Sequence, residues 1–537
     1  MKTIPLGPWL GINNRLPDFA LHVDQKGDYL AAADNVDIDN AGRIHSRRGT
    51  ALLQAFANPP HSLYMFDATT GYVVLDSVLY PCTVGPDSVV LGTLIKVLAS
   101  NEPLSYEILA GELYYSNGTD SGRISAGVWY PLGLPTPAAP AVSLIGGGLL
   151  TGKYLVAVGY CRKSGATLLE EGGISPYTSA ERATTGGFRV TLPGTVAGAT
   201  HINIYISACN GSLPYLLASV AVGTGTYDAS ALATGREASG RLESPLPAGT
   251  LFAHNGRLCS FAGNAICVGS PHRPGYYLPA EGRLHFPSPV SIAVSAQTGV
   301  FVAADKTYWI PGDLGNVQGQ VVDVLPFGAV PGTAFSIPDR SDVGWFGAMG
   351  VVIANTQGQA VAVMNDNIDL TPPDDGNSVV FVSDGYMRVV SCGWCLNLES
   401  KVATTYSGWD FTSVSGSYGT KADGIYLTNT PGLVDSFIDF GDKDFGTDAL
   451  KRLPAVYAGV SSDTPMELTV AYTDNKGNDC EYTFPARDCS PTIQIHRFDT
   501  ARGMRSTWFG LSVGNADGSP FTLASLSFAP IASSRKI

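Results

Sequence analysis

Short runs of β-branched and aromatic residues, separated by tight-turn pairs, recur along the whole chain. Examples are residues 71–80, 153–160, 201–207 and 466–474. Asn-Gly and Asp-Gly pairs lie between many of these runs, and they favour hairpins because a two-residue turn needs positive φ at its central positions. No segment longer than about ten residues has a convincing helical period. The pattern therefore predicts an all-β protein.

The spacing of these runs divides the chain into four segments. Residues 1–133 read as an N-terminal arm followed by the first blades of a β-propeller, because strand, turn and strand alternate in the manner of four-stranded units. Residues 134–245 begin with a Pro- and Ala-rich linker and have the length and strand spacing of an immunoglobulin-like or fibronectin type III sandwich. Residues 246–399 resume the blade pattern, and residues 400–537 read as a separate C-terminal β-domain. The predicted fold is a split propeller with an inserted sandwich.

Composition and charge narrow the possible functions. Only 15% of the 537 residues are charged and the net charge is −13. No basic run is longer than a pair, so we do not expect stable binding to DNA or RNA, which requires neutralised phosphates. The nine cysteines are expected to be reduced thiols. We expect no transmembrane helix and no signal peptide, and therefore synthesis in a cytoplasm without export by a standard route.

The densest cluster of polar signals is "ADNVDIDNAGRIHSRRGT", residues 33–50. Asp37, Asp39 and a following glycine match part of a calcium loop. However, Ala41 has no ligand oxygen, and Arg48 occupies the position where the loop needs a bidentate glutamate. A metal site is therefore not expected here, and the stretch reads as two strands joined by a turn.

In such a hairpin, Asp37 and Asp39 would face Arg47 and Arg48 across the two strands, with each pair contributing roughly 0.2–1 kcal/mol. The glycines would serve turn geometry, and the arginines would act as interface or hairpin charges. The candidate structural or interface residues are Gly42, Arg47, Arg48 and Gly49.

Four further motifs match catalytic or binding patterns only in part. "GGLLTGKY" (147–154) lacks the Ser or Thr of a phosphate loop and leads into a strand instead of a helix. "GLSVG" (510–514) matches a nucleophile elbow but lies within an alternating strand. "CGWC" (392–395) has no second close pair for zinc. The acidic clusters "TPPDDGN" and "DFGDKDFGTD" lie in turn contexts that favour Asp for backbone hydrogen bonds. We therefore expect no cofactor, no metal and no catalytic residues.

An ordered series of phrases resembles the tail nozzle, or tail tubular, proteins of short-tailed, podovirus-like bacteriophages. "GINNRLPDFAL" followed by "ADNVDIDNAGRIHSRRGT" resembles their N-terminal signature, although Gly49 follows Arg48 directly where the family has an intervening residue. "LPTPAAPAVSLIGGGLLTGKYLVAVGY" resembles their sandwich insert, and "FAHNGRLCSFAGNAICVGSPHRPGYY" resembles their blades. "FIDFGDKDFGTDALKRLPAVYAGV" and the last 36 residues resemble their C-terminal domain.

The resemblance implies a structural virion protein without enzyme activity. In that family, six copies form a ring below the portal and adaptor proteins, enclose the channel through which the genome leaves, and carry fibres or spikes nearby. It also implies a location in the virion tail after assembly in the host cytoplasm, with DNA passing through without stable binding and with no stable membrane insertion. An acidic surface would suit such a channel, because phosphate contacts would otherwise have to be broken repeatedly.

Two other functions remain open from the sequence. The first is a propeller-and-sandwich adhesin, or a fibre-attachment protein, that binds host glycan. The second is a glycosidase that uses paired carboxylates from the acidic clusters.

Overall fold

Strands dominate both compact units into which the chain divides. The computed structural model describes residues 3–238, 243–316, 321–474, 477–500, 503–515 and 517–532. Unit 1 contains Met1–Asp76, Tyr80–Thr93 and Asp323–Ile537, and unit 2 contains Ser77–Leu79 and Leu94–Val322. The helices found in the described residues are two short 3-10 turns, Asp18–Ala20 and Leu314–Asn316. The all-β prediction is confirmed. Among these described residues, no helix has the length and apolar character needed to span a membrane.

Unit 1 opens with an arm of short strands, followed by a first meander of four strands, here called blade A. The arm strands are β1 (Ile4–Leu6), β2 (Trp9–Ile12), β3 (His22–Val23), β4 (Gly27–Leu30), β5 (Ala32–Asp34), β6 (Val36–Ile38), β7 (Ile44–Ser46) and β8 (Gly49–Ala55). Blade A consists of β9 (Pro60–Met65), β10 (Thr70–Leu75), β11 (Val78–Val84) and β12 (Val89–Leu91). Its strands lie in sequence order, as in a meander.

Unit 2 begins with a second meander, blade B, and continues into a two-sheet sandwich. After β13 (Lys96–Val97), blade B contains β14 (Ser105–Leu109), β15 (Glu112–Ser116), β16 (Ser121–Ser125) and β17 (Val128–Pro131). The sandwich strands are β18 (Val142–Leu149), β19 (Gly152–Ser164), β20 (Thr167–Ile174), β21 (Thr178–Arg182), β22 (Gly186–Thr191), β23 (His201–Ser207), β24 (Pro214–Ala221) and β25 (Thr226–Ala229). One sheet has the order β18-β22-β25, and the other has β20-β19-β23-β24 with β21 also paired to β19. The residues between the sheets are apolar, and Tyr154 packs edge-on against Phe188 at 5.5 Å between ring centroids.

Two more blades follow the sandwich. Blade C contains β26 (Ser244–Pro245), β27 (Thr250–His254), β28 (Arg257–Ala262), β29 (Ala265–Ser270), β30 (Arg273–Tyr277) and β31 (Arg283–His285). Blade D contains β32 (Ile292–Ala296), β33 (Gly299–Ala303), β34 (Thr307–Pro311) and β35 (Val322–Leu325). Within unit 2, blade B contacts blade C through the Leu251 N–H, which donates to Ser105 Oγ at 2.9 Å. Blade C contacts blade D through His254 Nδ1 and Ser295 Oγ at 2.8 Å.

A half-buried ionic cluster attaches the sandwich to blades B and C. Glu170 on β20 accepts hydrogen bonds from Arg123 of blade B at 2.6 Å and from the Tyr276 hydroxyl of blade C at 2.8 Å. Arg162 of the sandwich lies 3.3 Å from the same carboxylate. The insert is therefore attached by charged hydrogen bonds in addition to its covalent linkers.

The rest of unit 1 contains three further blades. Blade E contains β36 (Phe335–Ser336), β37 (Val343–Gly347), β38 (Gly350–Ala354) and β39 (Ala360–Ala362), and blade F contains β40 (Ser378–Ser383), β41 (Tyr386–Ser391), β42 (Trp394–Asn397) and β43 (Ala403–Thr405). Blade G combines β44 (Ser413–Ser415), β45 (Tyr418–Lys421) and β46 (Gly424–Thr430) with β8 from the arm. Within unit 1, blade E contacts blade F and blade G contacts blade A. Asn429 Nδ2 of blade G also donates to the Val382 carbonyl of blade F at 3.1 Å. Blade-type sheets thus occur on both sides of the sandwich in the sequence, which confirms the split-propeller fold class.

The last strands form two larger sheets together with the arm, and one separate two-stranded sheet. They are β47 (Phe437–Lys443), β48 (Lys451–Arg452), β49 (Ala455–Ser462), β50 (Met466–Thr473), β51 (Asp479–Pro485), β52 (Ser490–Asp499), β53 (Phe509–Asn515), β54 (Phe521–Phe528) and β55 (Ile531–Ala532). One sheet has the order β52-β49-β54-β7-β6, with β1 also on β54. The other large sheet has nine strands in the order β40-β41-β42-β43-β5-β47-β53-β50-β51. Strands β48 and β55 pair with each other in the two-stranded sheet.

The predicted boundary at residue 400 and the predicted grouping of residues 1–133 both differ from this arrangement. The strands of residues 403–430 belong to blades F and G, and the arm pairs with the C-terminal strands instead of standing before the first blade. The physical reason is strand pairing over long sequence separation. Sequence patterns identify each strand, but they do not identify its neighbour.

We expect Phe188→Ala to destabilise the protein by about 3–5 kcal/mol, because it removes a fully buried ring from the sandwich core. Leu169→Ala, at an exposed position on β20, is the matched control and should change the free energy of unfolding by less than about 0.5 kcal/mol. Denaturant unfolding monitored by fluorescence measures both. Equal effects from the two substitutions would contradict the assignment of this core.

Candidate functional site

The stretch 33–50 forms the hairpin of β6 and β7, and its turn depends on Gly42. The Gly42 N–H donates to the Asp39 carbonyl at 2.9 Å, and the Trp9 N–H donates to the Gly42 carbonyl at 3.1 Å. Gly42 has φ +73°, and a Cβ at this position would lie 2.5 Å from Cβ of Pro8. A side chain is therefore excluded both by the left-handed backbone and by the first arm strands packed over the turn.

The Asp39 carboxylate is used by the turn itself. Its Oδ1 accepts from the N–H groups of Ala41 (2.9 Å) and Arg43 (2.8 Å), and its Oδ2 accepts from Arg43 Nε at 2.8 Å. His45 Nε2 lies 3.2 Å from Oδ2. Burial opposes ionisation of Asp39, but these hydrogen bonds outweigh it and lower the pKa of the carboxyl group. The described residues contain no group of His, Cys, Asp and Glu arranged to hold a metal ion.

The predicted pairing of two aspartates with two arginines across the hairpin is wrong. Asp37 lies opposite His45 in the ladder. Because the turn begins at Asp39, the register carries Arg47 past the end of β7, next to Asn35. There the Arg47 N–H donates to the Asn35 carbonyl at 3.0 Å, and Arg47 Nε donates to Asn35 Oδ1 at 2.8 Å.

Asp37 instead forms a buried ion pair with blade F. Its Oδ1 lies 3.4 Å from Arg388 Nη1 and accepts from the Tyr406 hydroxyl at 2.6 Å. Burial raises the pKa of Asp37, although Arg388 and Tyr406 act to lower it. Burial and the Asp37 charge together raise the pKa of Tyr406 well above its usual value. Among the described residues, Asp37 Oδ2 and Arg388 Nε have no hydrogen-bond partner. The hydrogen-bonding capacity of the pair is thus incompletely satisfied. Substitution of only one of the two residues should lower the stability of the fold, because the other charge is then buried without its partner.

Arg47 is buried and joins the arm to the loop after blade F. Its Nη1 donates to the Arg48 carbonyl and its Nη2 to the Ser407 carbonyl, both at 3.0 Å. The guanidinium carbon lies 5.2 Å from the Tyr406 ring centroid and 5.8 Å from that of Trp409. Burial lowers the pKa of Arg47, and the nearby acidic groups partly oppose this shift. Its geometry is that of a structural contact inside the chain.

Arg48 lies at the surface. Its Nε is 3.5 Å from Asp384 Oδ1, and both side chains are about half exposed. Val382, two residues before Asp384, is exposed. Leu433 is 72% exposed and directly follows Gly432. The backbone of Gly432 lies against Gly49, the residue after Arg48. We call Arg48, Val382, Asp384 and Leu433 the Arg48 patch. A small apolar surface with one exposed ion pair is suited to contact with another protein.

Gly49 does not form a turn, in contrast to the prediction. It is the first residue of β8 in extended conformation. A Cβ at this position would lie 3.1 Å from Cα of Gly432. The glycine therefore permits the close approach of two backbones where β8 enters blade G.

The partial motifs are parts of strands and turns. "GGLLTGKY" spans the end of β18 and the start of β19, and "GLSVG" lies inside β53. "CGWC" contains the turn between β41 and β42 and the first two residues of β42. Burial raises the pKa of the Cys395 thiol to about 12. Asp439 lies in β47, where the ladder with β53 shifts register, and accepts from the Gly441 N–H at 2.8 Å. Asp444 accepts from the Gly446 N–H at 2.9 Å, as expected of a turn aspartate.

One surface feature was not found from the sequence, because its parts are distant along the chain. Phe19 is 67% exposed and packs edge-on against Trp508 at 6.1 Å between ring centroids. Asp18, the preceding residue, lies against Gly441, where a Cβ would be 2.9 Å from Cβ of Asp18. An aromatic pair, with Phe19 exposed and Trp508 half-buried, therefore lies next to the acidic segment that begins at Asp439.

Comparisons with known proteins identify no family for this chain. No protein-family model matches the sequence, and no curated protein matches it. A streptogramin B lyase structure is similar over 64% of this chain and 93% of its own, at 9% identity and a TM-score of 0.27. YCF48 bound to a D1 peptide is similar over 75% and 100%, at 10% identity and a TM-score of 0.27. An arabinoxylan arabinofuranohydrolase of glycoside hydrolase family 43 from Bacillus subtilis is similar over 93% and 96%, at 12% identity and a TM-score of 0.16.

We expect Arg388→Met and Asp37→Leu each to destabilise the protein by about 3–5 kcal/mol, because each leaves the other charge buried without its partner. The double variant should recover most of this loss, because both charges are then absent. Denaturant unfolding of the four proteins in a double-mutant cycle measures the coupling. Additive losses in the double variant would contradict the pairing.

Arg47→Ala and Arg48→Ala should have different effects. The first should lower the free energy of unfolding by about 2–4 kcal/mol, because it removes a buried side chain with three hydrogen bonds. The second should change it by less than about 0.5 kcal/mol, because the ion pair is exposed. Thermal unfolding measures both. A weaker assembly of Arg48→Ala, at unchanged stability, would show that the Arg48 patch contacts another protein, and a large stability loss would contradict this surface assignment.

Proposed function

We propose that this chain is a structural protein of a short phage tail, and that several copies, six by the resemblance, form the ring-shaped nozzle that encloses the channel for genome ejection. In this role it has no enzyme activity. It contacts adaptor or portal-proximal proteins on one side and offers attachment surface for fibres or spikes. It is located in the virion tail after assembly in the host cytoplasm.

The observation that carries this proposal is the agreement between two orders of parts. The sequence resemblance implies an N-terminal signature segment, a sandwich insert, propeller blades and a C-terminal domain, in this order along the chain. The fold contains strands of these types in the same order, from the arm strands at Ile4–Leu6 to β54 at Phe521–Phe528. A shared order of parts over a whole chain is more specific than any one of the phrases.

The charge of the chain also favours this role. A net charge of −13 repels a phosphate backbone, so DNA can pass without the counterion-releasing contacts that hold nucleic acid to basic proteins. The buried charged groups are used inside the chain, since Asp37 pairs with Arg388 and Arg47 donates to Asn35 and Ser407. The polar interior thus serves to fix the arm, and the exposed Arg48 patch remains available for contact with neighbours.

Electron microscopy of the purified protein and of phage particles tests the proposal. We expect rings with a central channel from the purified protein, and the same rings at the distal end of the tail, detected with an antibody against the chain. A monomeric protein that is absent from the tail would contradict it.

A second candidate function, a glycan-binding adhesin or fibre-attachment protein, is favoured by the aromatic pair Phe19 and Trp508 beside Asp18. Exposed aromatic rings stack on the apolar faces of sugars, and carboxylates accept hydrogen bonds from their hydroxyl groups. Binding of the isolated protein to a glycan array, abolished by Trp508→Ala, would favour this function. Release of reducing sugar would instead indicate a glycosidase.

A further inference from the structure

A cleft lies between blades E and F, where three of their turns meet. It has a volume of about 270 Å³, and residues of the β36–β37, β38–β39 and β42–β43 turns and of the adjoining strands line it. All of these residues belong to unit 1. Pockets for drug-sized ligands have volumes of roughly 300–1,000 Å³. This cleft therefore has room for a small ligand only.

Part of the cleft lining is apolar. Ile337, Leu396 and Leu398 are its buried members. Ile353 of β38 and Val361 of β39 lie opposite each other in the ladder of blade E, and both line the cleft. Val361 is 59% exposed. A ligand with an apolar body would remove this side chain from water, which favours binding.

The β38–β39 turn adds a fixed amide to the lining. Asn355 Oδ1 accepts from the N–H groups of Gln357 and Gln359 at 2.9 and 3.1 Å, and Asn355 Nδ2 donates to Gln359 Oε1 at 3.0 Å. Gln359 is exposed and lines the cleft. Because Asn355 holds its side-chain oxygen, the Gln359 amide can offer its two N–H donors to a ligand.

Two cationic residues, Arg340 and Lys401, also line the cleft, and both are exposed. Among the described residues, neither side chain has a hydrogen bond or an ion pair within 4 Å. One carboxylate, that of Asp342, lines the cleft as well. Glu399, two residues before Lys401, accepts instead from Asn40 Nδ2 at 2.5 Å. Two positive groups and one negative group give the lining a charge of +1, in a chain whose net charge is −13.

We propose that this cleft binds a small amphipathic carboxylate, with its apolar body against Ile353 and Val361 and its carboxylate beside Arg340 and Lys401. A guanidinium binds a carboxylate through two parallel hydrogen bonds, and an ammonium group adds a compact positive charge. The N–H donors of Gln359 suit the same anion. This binding activity goes beyond the nozzle role and does not require assembly, because one chain supplies every residue of the site.

Octanoate is the probe that tests this site, because it joins a short apolar chain to one carboxylate. Octanol and octylammonium carry the same apolar chain with no charge and with the opposite charge. Saturation-transfer NMR titrations of the full chain measure binding of all three. We expect octanoate to bind with a Kd on the order of 1–10 mM, and the other two at least about fivefold more weakly. Added salt should weaken the binding of octanoate and not that of octanol.

Substitutions in the cleft should change the affinity for octanoate in opposite directions. Arg340→Gln and Lys401→Asn should each weaken it by about threefold to tenfold. Asparagine suits the second position because Lys401 has φ +58°, which asparagine tolerates. Asp342→Asn should strengthen binding by about twofold, because it removes the one repelling carboxylate. Val361→Asp should weaken it by more than tenfold, and Lys26→Gln, at an exposed lysine of the arm, is the matched control.

Thermal unfolding of each variant checks that the fold is intact, and misfolding cannot produce the gain expected from Asp342→Asn. Equal affinity for octanoate and octanol would refute the site, because the cationic residues would then have no effect. Octanoate binding that none of the substitutions changes would show an adventitious additive only, bound elsewhere on the chain. The absence of binding at tens of millimolar octanoate would also refute the site. Each of these negative results leaves the ring test of the nozzle function unaffected.

Discussion

The arrangement of unit 1 depends on the buried ion pair between Asp37 and Arg388. Asp37 belongs to the arm hairpin and Arg388 to blade F, and they meet at 3.4 Å with the Tyr406 hydroxyl as a third partner. Neither charge can be left alone in this environment without a penalty of several kcal/mol. The hairpin therefore has one position against blade F that satisfies both. Arg47, held by Asn35 and Ser407, adds a second fixed point a few residues later in the chain.

The other arm strands pair with strands that lie far along the chain. Strand β5 enters the nine-stranded sheet between β43 and β47, β7 pairs with β54, and β8 completes blade G. The arm thus contributes to both large sheets and to one blade, and it shares their apolar core through side chains such as Trp9, Leu30 and Ile44. A buried polar contact that specifies position, surrounded by apolar burial that supplies most of the stability, is a common division of roles in protein cores.

The sequence was informative where the physics is local. Strand periodicity and turn pairs predicted an all-β chain, blade-like strand sets and an inserted sandwich, and the Asp39–Gly42 turn was readable from its residue types. The register of the hairpin was not readable, since a shift of two residues decides whether Asp37 lies opposite Arg47 or His45. Asp37, Arg47 and Phe19 each have a contact more than 350 residues away, with Arg388, Ser407 and Trp508 respectively. No local pattern carries such information. Gly49 illustrates the same limit, because its role comes from Gly432.

Completion of blade G has a consequence for how the protein is made. Ala51 of β8 pairs with Leu427 of β46, a separation of 376 residues (427 minus 51). At a synthesis rate of about 5–20 residues per second, β8 leaves the ribosome about 20–75 s before its partner exists. During this interval the apolar strands of the nascent arm, and Asp37, which is buried in the folded protein, lack their final neighbours. Premature pairing with other nascent chains on the same message is the characteristic hazard. We expect chaperones that bind extended apolar segments to occupy the arm until the last blade emerges.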